Sequence, residues 1–142
     1  MESMEALYTA IATTVGGRSG HVKSSDGVIN MEIRPPKEMG GPDASYVNPE
    51  LLFAAGYSAC FGSAISHVAL ERNLRVRPEV TAKVSIGNKD GGGYQLAVEM
   101  DVKFPESVSL QDAQTLVEEA HQICPYSNAT RNNIEVKLNV VR

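Results

Sequence analysis

Two cysteines are the residues of this sequence best suited to carry chemistry. Cys60 lies in the stretch AAGYSACFGS, at residues 54–63, and Cys124 follows 64 positions later. A thiolate is a nucleophile, and two thiols that meet can form a disulfide. Free cysteine is also among the most buried residue types, so each thiol could simply fill space in a core. The surrounding residues must therefore distinguish a redox pair from two inert thiols.

The spacing of the cysteines and histidines argues against a metal site and against a hydrolase. There is no C-x-x-C motif, and His21, His67 and His121 are dispersed along the chain. His67 follows Cys60 by seven residues, a rise of about 10 Å along a helix, which is too far for a hydrogen bond. The other two histidines would need a tertiary contact to serve a Cys–His hydrolase. A hydrolase, and a sensor or ligand-binding protein that forms a disulfide without turnover, are the alternatives to a catalytic redox pair.

Cys60 needs a cation from elsewhere if it is to be reactive. The segment 50–73 contains no proline and is almost wholly apolar, so it predicts a central, buried helix that begins at Asn48 and Pro49. Burial raises the pKa of a thiol, and a helix dipole acts only over the first turn. Arg18, in the glycine-rich turn GGRSG, is the candidate cation, although an arginine in such a turn is often only solvated.

Cys124 has a different environment, at the end of a second predicted helix. That helix spans residues 110–124, with Ser109 as its N-cap and Pro125 as its stop. The negative end of the helix disfavours a thiolate, and the backbone beside a proline can shift more readily than the middle of a helix. A thiol that stays protonated but can move suits a resolving cysteine, which condenses with a sulfenic acid. Packing under a loop is the alternative role.

The remaining segments predict strands joined by turns. Strands are expected at residues 6–14, 21–25, 28–33, 79–87, 94–104 and 134–141. A proline- and glycine-rich loop covers residues 34–50, and a turn or one-turn helix follows Pro125. The order β-β-β-α-β-β-α-β indicates one α+β domain, residues 1–142, with antiparallel strands around two central helices. Small residues in the first helix, such as Gly56 and Gly62, would let another backbone approach it.

Composition and charge narrow the class of protein. The 142 residues are 42% apolar and 21% charged, as in a globular domain. The net charge is −4 and the basic residues are thinly spread, which argues against nucleic-acid binding. No apolar run approaches the ~20 residues that cross a bilayer. The acidic N-terminal stretch MESMEALYTA is unlike a secretory signal, so we expect a cytoplasmic protein with no membrane partner.

Three motifs resemble those of a known family. GGRSG, VNPELLFAAGYSACFGSAI and ICPYSNATRNNIEV resemble, in order and interval, segments of the organic hydroperoxide resistance proteins, a branch of the OsmC-like superfamily. The resemblance runs from about Leu7 to Val141. LFAAGYSACF and CPYSNAT are similar to this branch rather than to its osmotically inducible relatives. GPDASYV has less glycine than the usual loop of the family, which concerns the shape of that loop and not the chemistry.

The resemblance implies a thiol-dependent peroxidase that reduces alkyl or fatty-acid hydroperoxides to alcohols. Cys60 would be the peroxidatic cysteine and Cys124 the resolving one, joined in a disulfide during turnover. Arg18 and Glu50 would form an ion pair beside the thiolate. The family implies an intertwined homodimer and no prosthetic group. An external dithiol, expected to be dihydrolipoamide on a lipoylated carrier protein, would reduce the disulfide.

Apolar side chains near the cysteines would form a pocket that prefers alkyl hydroperoxides to hydrogen peroxide. The candidates are Phe53, Phe61, Met39 and Tyr126. Each of these side chains could equally serve in core packing.

Overall fold

The polypeptide forms two compact units. The computed structural model describes residues 4–142; the first unit ends at Pro49 and the second extends from Glu50 to Arg142. In the first unit, β1 (Ala12–Val15), β2 (His21–Ser24) and β3 (Asn30–Glu32) form an antiparallel sheet in the order β1-β2-β3. This arrangement confirms the predicted N-terminal meander. The organisation of the whole chain as one domain stays a prediction.

The first strand is shorter than the predicted segment 6–14. Its first residue, Ala12, pairs with Ser24, the last residue of β2. Beyond Ser24 the chain turns through Asp26 and Gly27, and Gly27 has a φ of 77°, in the left-handed region that glycine adopts without strain. The residues before Ala12 therefore extend past the end of their partner strand. The position of the second turn thus limits the length of β1.

The second unit contains the long helix and the remaining strands. In chain order the elements are α1 (Pro49–Glu71), β4 (Glu79–Asn88), β5 (Tyr94–Lys103), α2 (Leu110–Ile123), α3 (Pro125–Thr130) and β6 (Val136–Val141). Helices α1 and α2 and strands β4, β5 and β6 lie within two residues of the predicted bounds. Ser109 caps α2 as predicted, since its hydroxyl accepts a hydrogen bond of 3.1 Å from the Asp112 N–H. The segment after Pro125 is a short helix rather than a turn.

The second sheet has the order β4-β5-β6 and is mixed. The β4 and β5 strands form a long antiparallel hairpin, whereas β6 runs parallel to β5, with Val98 opposite Val136. The prediction of antiparallel strands is wrong for this last pair. The chain returns to the sheet through α2 and α3, and a crossover of this kind brings the next strand back in the same direction. The α+β class itself is confirmed.

The core of the second unit lies between α1, α2 and β5. The core residues of α1 recur at helical spacing and are Tyr57, Phe61, Ala64, Ile65, Val68 and Ala69. Ala113, Leu116, Val117 and Ala120 of α2 and alternate residues of β5 (Val98, Met100 and Val102) complete it. Leu51 and Leu70 of α1 are about half exposed. Helix α1 is therefore buried along one face in this chain, not on nearly every face as its composition predicted.

Helix α1 is also long and apolar enough, by length and composition alone, to cross a membrane. The prediction that no segment meets this criterion is therefore wrong. Core helices of soluble proteins meet the same criterion, and α1 contributes six residues to the core. The cytoplasmic location stays a prediction.

Several large apolar side chains of the first unit are exposed. Leu7, Tyr8, Val15 and Val28 each have more than three quarters of their surface accessible. Exposed apolar surface of this kind is typical of association sites. The intertwined homodimer stays a prediction, and sedimentation equilibrium would test it: a mass of one chain at micromolar concentration would exclude a stable dimer.

Candidate active site

The fold brings the two cysteines into contact. Cys60 lies in the middle of α1 and Cys124 lies between α2 and α3, and their Sγ atoms are 3.5 Å apart. Both are free thiols, and the Cys124 thiol is directed at the Cys60 sulfur. Cys124 is fully buried, whereas Cys60 is partly exposed. A reagent from solvent can therefore approach Cys60, while Cys124 faces its partner thiol.

Cys124 caps two helices at once. Its N–H donates to the Ala120 carbonyl at the end of α2, and its own carbonyl accepts from the Asn128 N–H in α3, each at 2.9 Å. Pro125 holds Cys124 in an extended conformation and occupies the first position of α3. The sequence predicts only one helix end at this position, the negative end of α2, which disfavours a thiolate. The positive end of α3 meets Cys124 as well.

The start of α3 affects the ionisation of Cys60. Burial raises the pKa of the Cys60 thiol above its ordinary value, and negative charge on the adjacent Cys124 would raise it further. The backbone N–H of Tyr126 lowers the pKa, because it donates a hydrogen bond to the Cys60 sulfur. Tyr126 is the second residue of α3, where an N–H has no acceptor within the helix. The sequence alone did not indicate this donor, because it left open whether a helix follows Pro125.

Four aromatic rings form a continuous cluster along α1 and onto α3. Phe53, Tyr57, Phe61 and Tyr126 have ring centroids 5.6–6.3 Å apart in their contacts with one another, the usual range for edge and tilted contacts. Gly56 makes room for the Tyr126 ring, since a Cβ at this position would lie 2.5 Å from the Tyr126 Oη. Gly56 thus allows a side chain to approach α1, whereas the sequence predicts the approach of another backbone.

The predicted pocket residues differ in exposure. Phe61 has no accessible surface and is part of the core. Phe53 is partly exposed and lines an open cavity of about 370 Å³, and Tyr126 is 37% exposed. Met39 ends a 3-10 turn in the first unit and is 43% exposed. Tyr126 is therefore the candidate with accessible surface that the structure places beside the thiols, and Phe53 packs against its ring.

The two charged residues of the predicted site lie at the positions expected from the sequence. Arg18 is exposed on a 3-10 turn, Gly17–Ser19, whose preceding Gly16 has a φ of 88°. Glu50 is in the first turn of α1, where a carboxylate is favoured by the helix dipole. The ion pair between Arg18 and Glu50 stays a prediction.

The histidines hydrogen-bond to side chains other than a thiol. His67 Nε2 lies 3.1 Å from a Glu71 oxygen, and His121 Nδ1 lies 2.8 Å from the Ser127 hydroxyl. His21 bonds to a side chain of its own sheet. Among residues 4–142 no group of three or more His, Cys, Asp or Glu side chains could hold a metal ion. These contacts give a Cys–His hydrolase no support.

Comparison with known proteins shows the family of this chain. The chain belongs to the OsmC-like family, whose profile matches residues 41–139. An organic hydroperoxide resistance protein from Xanthomonas axonopodis pv. citri is 45% identical over 135 residues, which cover 94% of each chain. The resemblance to organic hydroperoxide resistance proteins is thereby confirmed.

Solved structures agree with this assignment. An organic hydroperoxide resistance protein from Elizabethkingia anophelis has a TM-score of 0.92 at 54% identity, covering 98% of this chain and 99% of that one. The organic hydroperoxide resistance protein OhrB of Bacillus subtilis has a TM-score of 0.88 at 43% identity, covering 96% of this chain and all of that one. The likeness thus extends over nearly the whole chain.

Proposed function

We propose that this chain is a cysteine-based peroxidase that detoxifies organic hydroperoxides by reducing them to alcohols. The observation that carries the proposal is the 3.5 Å contact between a partly exposed and a buried thiol. The names of its relatives support the class of substrate.

The first step is attack of the Cys60 thiolate on the terminal oxygen of the hydroperoxide. The O–O bond breaks as the sulfur gives up two electrons, and the leaving alkoxide takes a proton to become an alcohol. Cys60 is left as a sulfenic acid. The Tyr126 N–H stabilises the thiolate before the attack. Arg18, paired with Glu50, supplies the positive charge that the burial of Cys60 requires.

The second step is attack of Cys124 on the oxidised Cys60. An S–S bond forms, and the hydroxyl of the sulfenic acid leaves as water with the thiol proton. The direction of the Cys124 thiol toward Cys60 supports this role. A disulfide bond is about 2.05 Å long, so the two sulfurs must approach by roughly 1.5 Å. The proline-broken junction between α2 and α3 is where the backbone can supply that movement.

The third step is reduction of the disulfide by an external dithiol, which becomes oxidised in turn. Cys60 is the sulfur that the dithiol attacks, because Cys124 is fully buried. The reductant is a lipoyl group in its dithiol form, carried on another protein, and no prosthetic group takes part.

Apolar surface beside the reacting sulfur sets the substrate preference. Tyr126 touches Cys60 through its N–H, and the Phe53 ring lies 5.9 Å from the Tyr126 ring. Both side chains are partly accessible, so an alkyl group of the substrate can be buried against them. Hydrogen peroxide has no alkyl group, so it gains no binding free energy from such a surface.

Steady-state kinetics with dihydrolipoamide as reductant test this function. We expect kcat/KM to be at least about tenfold higher for cumene hydroperoxide than for hydrogen peroxide, because each buried CH₂ contributes about 0.8 kcal/mol and 1.4 kcal/mol is a factor of ten. Consumption of cumene hydroperoxide no faster than in buffer with the dithiol alone would contradict the proposal.

Replacing Arg18 by alanine should raise the pKa of Cys60 further, because burial already raises it and the variant removes the proposed cation. A higher pKa leaves less thiolate at pH 7, so alkylation by iodoacetamide should slow there and its pH profile should move to higher pH. The measurement uses a Cys124→Ser background, so that a single thiol reports. Arg18→Lys, which keeps the charge, is the matched control. A profile that is the same for Arg18→Ala and for the parent would exclude the role.

A further inference from the structure

The buried residues of α3 are polar, unlike those of the other helices. Ser127 and Thr130 are 0% and 4% exposed, and among residues 4–142 they are the polar residues buried to this degree. A helix of six residues has little stability of its own. The Tyr126 ring is partly exposed, so packing of apolar surface contributes less to α3 than to α1 or α2. The position of α3 therefore depends on the hydrogen bonds of its two buried hydroxyls as well as on the packing of the Tyr126 ring against Phe53 and Tyr57.

Those hydroxyls belong to a hydrogen-bonded chain that joins all three helices. The Tyr57 Oη of α1 lies 2.8 Å from Ser127 Oγ and 3.3 Å from Thr130 Oγ1. Ser127 Oγ lies 2.8 Å from Nδ1 of His121 on α2. The Thr130 hydroxyl donates to the Ser127 carbonyl at 3.2 Å. Each of the three hydroxyls thus has partners although it is buried.

The two 2.8 Å hydrogen bonds of this network, Tyr57–Ser127 and Ser127–His121, are consistent with one direction. The Thr130 proton goes to the Ser127 carbonyl, so the 3.3 Å approach of Tyr57 to Thr130 is a contact without a proton of its own. Burial lowers the pKa of His121, as does the nearby Arg131 guanidinium, so the ring is neutral at pH 7. A neutral imidazole can accept at Nδ1 from the Ser127 hydroxyl, which in turn accepts from the Tyr57 hydroxyl. Arg131 also donates to the His121 carbonyl, in the last turn of α2. The chain and Arg131 thus hold the segment on both sides of Cys124.

The side chains of this hydrogen-bonded network leave the backbone about one helical turn from each thiol. Tyr57 precedes Cys60 by three residues, while His121 precedes Cys124 by three and Ser127 follows it by three. A shift of α3 against α1 would break the Tyr57–Ser127 bond. The same shift would change the distance between the two sulfurs and the hydrogen bond from α3 to Cys60.

We propose that Tyr57, Ser127 and His121 are positioning residues that hold the start of α3 against α1. In this role they set both contacts of the Cys60 sulfur, with the Cys124 thiol and with the N–H of Tyr126. The consequence for the rate of disulfide formation rests on the proposed function. The consequence for the ionisation of Cys60 is independent of it.

The first test is the rate of disulfide formation after one equivalent of cumene hydroperoxide, followed by acid quench and mass analysis. Ser127→Ala and Tyr57→Phe should each slow this step about tenfold, the equivalent of one lost buried hydrogen bond. Ser127→Thr keeps the hydroxyl and should recover most of the rate. Ile65→Val is the matched control, because it removes one methyl group from the core face of α1 and leaves the hydrogen bonds of Tyr57, Ser127 and His121 intact.

The second test is the pH profile of Cys60 alkylation in a Cys124→Ser background, which requires no peroxidase activity. Ser127→Ala and Tyr57→Phe should move the profile to higher pH, since the N–H of α3 is no longer held at the sulfur. Ile65→Val should leave it unchanged. Should Ser127→Ala fail to fold, Tyr57→Phe decides the test, because it keeps the ring and its packing.

The outcomes separate this proposal from the proposed function. If the parent chain consumes no hydroperoxide, the proposed function fails, and the alkylation profiles alone decide whether the hydrogen-bonded chain positions α3. If the parent is active, wild-type behaviour of both variants in either test overturns the proposal. Equal changes in Ile65→Val also overturn it, because they would show a general effect of stability.

Discussion

A Cys60→Ser variant is expected to reduce no hydroperoxide, whatever the concentration of dithiol. A serine hydroxyl is not ionised near neutral pH. It also cannot take up the peroxide oxygen to give a stable product, as a cysteine does when it becomes a sulfenic acid. Serine is close to cysteine in size, and Cys60 is only partly buried, so the fold should tolerate the change. The measurement is the disappearance of cumene hydroperoxide with dihydrolipoamide, and the rate should fall to that of the dithiol alone.

Two controls make the loss of activity specific. Unfolding in urea should show a stability close to that of the parent chain, which excludes a general folding defect. Cys124→Ser, the same substitution at the buried thiol, should still react with the first equivalent of hydroperoxide. A Cys60→Ser variant that keeps turning over would show that another group is the nucleophile.

A Cys124→Ser variant is expected to consume the first equivalent of hydroperoxide and then to be oxidised further. Without a thiol 3.5 Å away, the sulfenic acid on Cys60 has no internal partner with which to form a disulfide. Without added dithiol, its mass should rise by about 16 Da with one equivalent and by about 32 Da with an excess, as sulfenic acid becomes sulfinic acid. The parent chain should instead lose about 2 Da under the same conditions.

The dithiol shows whether resolution by Cys124 is needed for turnover. With dihydrolipoamide present, the variant should lose activity progressively as Cys60 is over-oxidised, whereas the parent should not. Sustained turnover of Cys124→Ser at the parent rate, without any gain in mass, would contradict the resolving role.

The elements that carry the two cysteines could be predicted from local signals. Asn48 and Pro49 mark the start of α1, while Ser109 and Pro125 mark the start and the stop of α2, and the structure confirms these bounds within two residues. Capping residues and prolines act through their own backbone, so they can be interpreted without tertiary information. The turn that carries Arg18 is also predicted from local signals, here the glycines of GGRSG.

Features that depend on distant segments could not be predicted in this way. The parallel pairing of β6 follows from the path of a crossover, and the one-sided burial of α1 depends on what packs against it. The contact between Cys60 and Cys124 was implied by the family resemblance, but only coordinates give its distance. Hydroxyls at residues 57, 127 and 130 are unremarkable one by one, and only the fold brings them together.

The pKa of Cys60 likewise depends on one effect that the sequence predicts and on one that only the fold reveals. Its burial, and therefore the direction in which burial moves its pKa, could be predicted from an apolar helix. The opposing hydrogen bond from Tyr126 required the conformation of a short helix after Pro125.

Cys60 and Cys124 are expected to form a disulfide when the chain meets an organic hydroperoxide. Intact mass under denaturing conditions, before and after one equivalent of an alkyl hydroperoxide, tests it most directly. We expect a loss of about 2 Da in the parent chain, and no such loss in Cys60→Ser or Cys124→Ser. An unchanged mass with both thiols still titratable would mean that Cys60 is only a small apolar residue in a core helix.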